Sequence, residues 1–343
     1  MSENSSKGGA WSRRATVSGL LAVGGCAIQP EAMVNLVQAP PSEQPPAPSA
    51  EGQILETAFD ATTRMTVPVR LDGHGPLEFV VDTGANVSVV AIEVAQQLGL
   101  PNIGQALVHG IAGSQLTDLT RVKRLSVGAV SEDIPRMPMM PRGRLGADGL
   151  LGMDVLRGRR LIMDYKRRQL DISRSAPRTG AMPVFSLSGV RQGRDPVFVV
   201  PARIRFGQLI IVDAEIAGVK VVAFLDSGSQ NTVGNGALKS AVASRHTGFA
   251  ERLFKAPLIS ATGQTAIGEI ASMPPLRLGG LLVGNMSIAF ADLHIFDLWE
   301  LTDRPALLVG ADVLRQFNSV EIDYGRRLVT FRPPAEYMSR RVR

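Results

Sequence analysis

Two short stretches make the same local demand on any fold that contains them: Phe79-Val80-Val81-Asp82-Thr83-Gly84-Ala85 and Ala223-Phe224-Leu225-Asp226-Ser227-Gly228-Ser229. In each, an apolar run of strand character ends in an acid, a hydroxyl and a glycine, and the chain then turns polar. A carboxylate at the end of a buried strand sits in low dielectric, and the neighbouring hydroxyl can hydrogen-bond to the main chain. Glycine permits a sharp turn or a close backbone approach that a Cβ would forbid. One such loop constrains little, but two in matching contexts can set two carboxylates face to face.

The contexts match. Residues 92–98 read as a helix after the first loop, and residues 236–244 occupy the same place after the second. Farther on, Gly149-Leu150-Leu151-Gly152-Met153-Asp154-Val155-Leu156 has a counterpart in Leu307-Leu308-Val309-Gly310-Ala311-Asp312-Val313-Leu314. Likewise Leu161-Ile162-Met163-Asp164-Tyr165 is matched by Val320-Glu321-Ile322-Asp323-Tyr324. Asp82 and Asp226, Gly152 and Gly310, and Asp164 and Asp323 lie 144, 158 and 159 residues apart. The register drifts only by what loop insertions add, which reads as an internal duplication.

At these residues the chain resembles the retropepsin-like aspartic proteases. The Gly-x-Asp-x-Leu segment and the Ile-Asp-Tyr-like strand after it resemble the cellular and bacterial branch more than the retroviral one. The resemblance covers roughly residues 60–333. It implies an all-β fold of two tandem β-barrel halves that face each other as a bilobal pseudo-dimer, with one short helix or two in each half. It also implies an aspartic endopeptidase with Asp82 and Asp226 as the catalytic pair and Thr83, Gly84, Ser227 and Gly228 supporting their loops. Enzymes of this family close hairpin flaps over the acids. The candidates here are the Gly-rich segment with Gly110 and Gly113 and the segment Ser260-Ala261-Thr262-Gly263-Gln264, although each could be an ordinary surface hairpin. Pepsin-like enzymes carry a tyrosine in a single flap, whereas Tyr165, Tyr324 and Tyr337 lie in neither candidate. Where retroviral enzymes place Asp after Gly-Ala, this chain has Asn86 and Gln230, so its contacts to a substrate backbone differ.

Two carboxyls in contact cannot easily both ionise, so they share a proton. The ionised one can act as general base on a water while the protonated one polarises the scissile carbonyl. Asp154 and Asp312 read as helix caps or buried structural partners rather than further acids. No cofactor or metal is expected, since no His or Cys cluster is present, and His74, His109, His246 and His294 do not recur at equivalent repeat positions. A nucleophile elbow of the Gly-x-Ser-x-Gly type is missing around Ser227. The alternative from another class is a peptide-binding or scaffold protein of the same fold without turnover. The two acids, which a pure binder does not need, favour the enzyme.

With 343 residues, 45% hydrophobic, the chain can build two ordinary cores, and 35 glycines with 22 prolines suit strands and turns. The formal charge of +6 is scattered apart from the tail Arg340-Arg341-Val342-Arg343. Without an aromatic-interleaved basic patch, no nucleic-acid partner is expected. At the other end, Ser12-Arg13-Arg14 precedes an uncharged run over residues 15–28, the layout of an export signal. It resembles a twin-arginine signal, with Thr16 where Phe is usual. Val23-Gly24-Gly25-Cys26 resembles a lipobox, making Cys26 the lipidation candidate. Ordinary cleavage after residue 27 and a disordered cytosolic N-terminus are the alternatives. Cys26 is the sole cysteine, so no intramolecular disulfide is expected.

The expected division is an export or lipoprotein signal over 1–27, a Pro-rich tether over 28–58 and a first half over 59–175. A connector and lead-in strand over 176–207, a second half over 208–334 and a basic tail over 335–343 follow. The reading as a whole is of a periplasmic or envelope protein, membrane-attached through its lipidated N-terminus. It acts on peptides or proteins, as a monomer whose halves pair within one chain.

Overall fold

The computed structural model describes residues 21–23, 26–28, 53–175, 190–192, 195–211 and 213–337. Most of the signal and tether, most of the connector and the basic tail from residue 338 lie outside the described residues. The fold is all-β as expected, but among the described residues each half carries three short helices where one or two were expected.

Each acid is delivered by a small, repeated piece of sheet. Strand Met65–Leu71 alternates buried and less buried positions. It then turns at Asp72 and Gly73, both at positive φ (49° and 86°), the backbone that a tight hairpin needs. The returning strand His74–Val81 becomes fully buried over Phe79, Val80 and Val81, immediately before Asp82. Strand Gly149–Leu151 runs parallel to it, with Leu151 opposite Val81, and antiparallel to Val89–Ala91 on its other side. Gly152 lets this strand cross the loop, since a Cβ there would stand 2.5 Å from the Val87 carbonyl carbon.

The same order of pairing recurs around Asp226. Ala306–Val309 is parallel to Val222–Leu225, with Val309 opposite Leu225, and antiparallel to Val233–Gly234. A Cβ on Gly310 would lie 2.6 Å from Asn231 backbone atoms. Each loop is followed by a helix where expected, Ile92–Gln97 and Gly236–Ala243.

Beneath both loops, six strands form one antiparallel layer in the order Gln53–Glu56, Gln169–Arg174, Arg159–Asp164, Ser319–Asp323, Leu328–Arg332 and Asp195–Arg205. The central seam joins the two halves, with Leu161 opposite Ile322 and Arg160 donating to Glu321 at 2.7 Å. One buried apolar cluster runs from Val67 and Phe79 in the first half to Val309 and Phe331 in the second. A second cluster packs Phe224 against Trp299, ring centroids 4.3 Å apart, behind the Asp226 loop.

Two boundary expectations need correction. The tether assigned to 28–58 ends earlier, because Gln53-Ile54-Leu55-Glu56 pairs with Gln169–Arg174 and becomes the outermost strand of the six-stranded layer. The lead-in strand assigned to the connector is an integral part of the second half, pairing with both Gln208–Ile211 and Leu328–Arg332. Residues 134–140 carry Pro135 and Pro138 yet belong to the interior strand Val130–Met140. Its ladder shifts register between Glu132 and Ile134 and again between Ile134 and Met137, so Pro135 sits where the pairing is already irregular.

No helix among the described residues is long and apolar enough to cross a membrane.

Candidate active site

Asp82 and Asp226 meet at the interface between the halves. Each backbone N–H is fixed by the neighbouring parallel strand, Asp82 to Leu151 O and Asp226 to Val309 O, both at 3.0 Å. Each Oδ1 accepts two backbone N–H groups of its own loop. For Asp82 these come from Gly84 at 3.0 Å and Ala85 at 2.9 Å. For Asp226 they come from Gly228 at 2.9 Å and Ser229 at 3.0 Å. Each Oδ2 is buried with no hydrogen-bond partner among the described residues.

The hydroxyls lock the two loops to one another. Thr83 Oγ1 donates to Leu225 O at 3.1 Å and accepts from the Ser227 N–H at 3.0 Å. Ser227 Oγ reciprocates, donating to Val81 O at 2.6 Å and accepting from the Thr83 N–H at 3.1 Å. Serine for threonine changes nothing in this exchange. The glycines serve proximity: a Cβ on Gly84 would overlap the Asp226 carboxyl, and one on Gly228 the Asp82 carboxyl. Neither lies at positive φ, so it is the close approach, not a turn, that excludes other residues.

Burial pushes both carboxyls upward, Asp82 well above the ordinary carboxylate range and Asp226 to about 6. For Asp82 the facing Asp226 adds to the rise, while Arg64 and the loop N–H groups oppose it. In Asp226 the Gly228 and Ser229 N–H groups are the main opposition.

Sequence reasoning overlooked two residues that tie each half to the other half's loop. Gln208 Nε2 donates to Gly84 O at 2.9 Å and to Asn86 Oδ1 at 3.0 Å. Arg64 Nη1 donates to Gly228 O at 3.2 Å, its remaining donors being held by Asp60 and Leu145 O. Gln208 follows Arg64 by the same 144 residues that separate Thr83 from Ser227, a signal that could have found the pair. Asp154, exposed, and Asp312, half-buried, are structural partners rather than caps of their own helices. Each accepts from a hydroxyl, Ser88 at 2.7 Å and Thr232 at 2.8 Å, whose oxygen in turn accepts from the N–H of Gly152 or Gly310.

Both flap candidates are hairpins, Asn102–His109 with Ser114–Val127 and Phe254–Ile259 with Thr265–Met273. Gly110 and Gly113 bound the first tip, joined by a 2.6 Å backbone bond, and Gly263 sits in the second at φ 87°. The tips meet, with Gln264 Nε2 donating to Ser114 O at 2.9 Å. Under them, beside the Asp226 loop, lies a cavity of about 310 Å³ bordered by Ile111, Ala112, Ser260, Gly228 and Ser229. A larger cavity of about 440 Å³, around Phe317 and Tyr337, is remote from the acids.

Two histidines with no repeat relation also come together. His109, buried at the end of the first hairpin's leading strand, hydrogen-bonds through Nδ1 to His294 Nε2 at 2.7 Å, their rings stacked 5.0 Å apart. Beside them the Ile295 N–H donates to Ile111 O at 3.1 Å. His74 is exposed at the start of strand His74–Val81. Cys26 lies in strand Cys26–Ile28, which pairs antiparallel with the first hairpin, Ala27 opposite His109 and Ile28 opposite Val108.

Two buried carboxyls, each presented by an Asp-hydroxyl-Gly loop in an all-β frame, form an arrangement able to share one proton. Residues 67–155 match the family model described as aspartyl protease, a span that takes in the Asp82 loop, the first hairpin and the Gly152 segment. The match supports a retropepsin-like aspartyl protease family for that part of the chain. No curated protein sequence matches the chain.

Proposed function

We propose that the protein is an aspartic endopeptidase built from two copies of one duplicated unit, its water held between Asp82 and Asp226. The observation that carries this is the reciprocal enclosure of the acids: both are fully buried, each against the other loop's glycine, with one oxygen of each left without a protein partner. Burial of two facing acids favours a singly protonated pair, which titrates as a unit.

In the reaction, the ionised carboxylate removes a proton from the water as its oxygen attacks the peptide carbonyl carbon. The protonated carboxyl gives its proton to the carbonyl oxygen, forming a neutral gem-diol. Collapse of the diol breaks the C–N bond, and the pair passes a proton to the leaving amine and recovers its single proton. The loop N–H groups on both Oδ1 atoms keep one carboxyl ionisable despite burial.

Asp82→Asn and Asp226→Asn, each assayed on an unfolded protein substrate, are expected to lose at least about a thousandfold in kcat/KM. Mixed together, the two inactive chains stay inactive if each chain builds its own site, and regain activity if sites assemble between chains. Full activity in either single variant would remove the pair from the mechanism. The cellular setting we propose is export with lipidation at Cys26, the Pro-rich segment spacing the enzyme from the membrane. Fractionation tests it: untouched full-length wild-type chain in the cytosol overturns it, whereas release or non-processing of Cys26→Ser supports it.

A further inference from the structure

The cavity beside the Asp226 loop is charged in one sense only. Among its lining residues the charged ones are Arg64 and Arg144, and none is acidic. Arg64 is already neutralised, its Nε and Nη2 held by Asp60 at 2.8 and 2.5 Å in a pair that is almost wholly buried. Arg144 is not. Its Nη1 donates to two neutral acceptors, Gln115 Oε1 at 2.8 Å and Thr262 O at 3.2 Å, one from each hairpin. No carboxylate among the described residues lies within ion-pair distance of it, and its Nε and Nη2 engage no acceptor there. Gly263 packs against the guanidinium so closely that a Cβ would lie 2.5 Å from Arg144 Cζ, which fixes where the group sits.

We propose that Arg144 is a specificity-determining residue that selects an acidic side chain, Asp or Glu, in the peptide at the position that fills this cavity. The inference rests on the cleft being the peptide site. A guanidinium held by one nitrogen, with its remaining N–H groups unspent, offers a planar fork to a carboxylate. Apolar walls from Ile111 and Leu258 leave fewer competing waters than open solvent, and no lining acid repels the incoming one. A charge-assisted contact of this kind favours the acid over its amide by about tenfold.

The test uses peptides identical except for Glu, Gln or Lys at successive positions around the scissile bond, cleaved by the wild-type full chain, Arg144→Gln and Arg144→Glu. At neutral pH one position is expected to show a Glu-to-Gln ratio in kcat/KM of about ten. That ratio falls to about one in Arg144→Gln, and Arg144→Glu shifts the preference to Lys. It also fades below about pH 4.3, where the glutamate side chain protonates. If Arg144 only clasped the hairpins, its loss would change all peptides alike and leave the ratio where it was, which overturns the proposal. Binding of the same peptides to Asp82→Asn, and to Asp82→Asn with Arg144→Gln, is read in parallel by calorimetry. An Arg144-dependent preference for Glu in binding upholds the subsite even in a protein that does not hydrolyse peptides. Cleavage or binding without that preference overturns the subsite while leaving the protease reading standing.

Discussion

Gly84 and Gly228 show how little freedom the site leaves. Neither needs an unusual φ, yet each faces the opposite carboxyl with no room for a methyl. Gly84→Ala is therefore expected to push Asp226 away from Asp82, lowering stability by about 1–3 kcal/mol through overpacking. Activity should fall on the order of a hundredfold, because the acids no longer share a water in the right geometry. Gly284→Ala, where a Cβ enters open space, is the control and leaves both measurements unchanged. An active, equally stable Gly84→Ala chain would show that close approach is not what the glycine provides. At this scale the sequence was informative wherever chemistry repeats: Asp82 with Asp226, and Thr83 with Ser227, declare themselves by type and position. Arg64 and Gln208 did not, because a guanidinium and an amide do the same tethering job with unlike side chains.

The elements nearest the acids are held by contacts that cross between the halves, and one of them, between His109 and His294, depends on pH through His109. Burial of His109, and next the neighbouring His294, lower the His109 pKa from its usual 6.5. As pH falls below 6.5, the unfolded or opened chain takes up a proton that the closed one resists. Closure therefore weakens as pH falls, until the buried imidazole itself protonates. Amide exchange over residues 102–127 is accordingly expected to quicken between about pH 6.5 and 5 in the wild type, after correction for intrinsic rates. His294→Ala should exchange faster at pH 7.5 and lose most of that pH dependence. An unchanged profile in the variant would mean that the pair does not hold the hairpin. Hairpins and helices were legible from alternation, turn residues and the repeat. This pairing was not, since it joins positions with no repeat relation, and the strand Val130–Met140 was obscured because Pro135 sits at a break in its ladder.

Across the whole molecule, the six-stranded layer and the hydroxyl exchange at the loops hold two acids together in a buried site that disfavours their ionisation. The stability that the acids themselves contribute has the opposite pH sign from that of His109. Their folded pKa values lie above the ordinary 3.8, so the folded chain binds more protons than the unfolded one from about pH 4 upward through the folded values. Stability from this source is full below pH 3.8 and is lost as pH rises through the folded pKa values, about 6 for Asp226 and well above the ordinary carboxylate range for Asp82. Replacing Asp82 by Asn removes the facing charge and most of that loss. Asp82→Asn is expected to melt with the wild type near pH 4 and to exceed it at pH 8 by roughly 1–3 kcal/mol, since each pKa unit is worth about 1.4 kcal/mol. The variant lacks turnover by the mechanism above, so its gain would express the strain that the active pair stores at neutral pH. Denaturant melts of both chains from pH 4 to 8 read this directly. Parallel curves would mean that the two carboxyls do not share a proton in the folded state, and the general-base step would lose its physical basis.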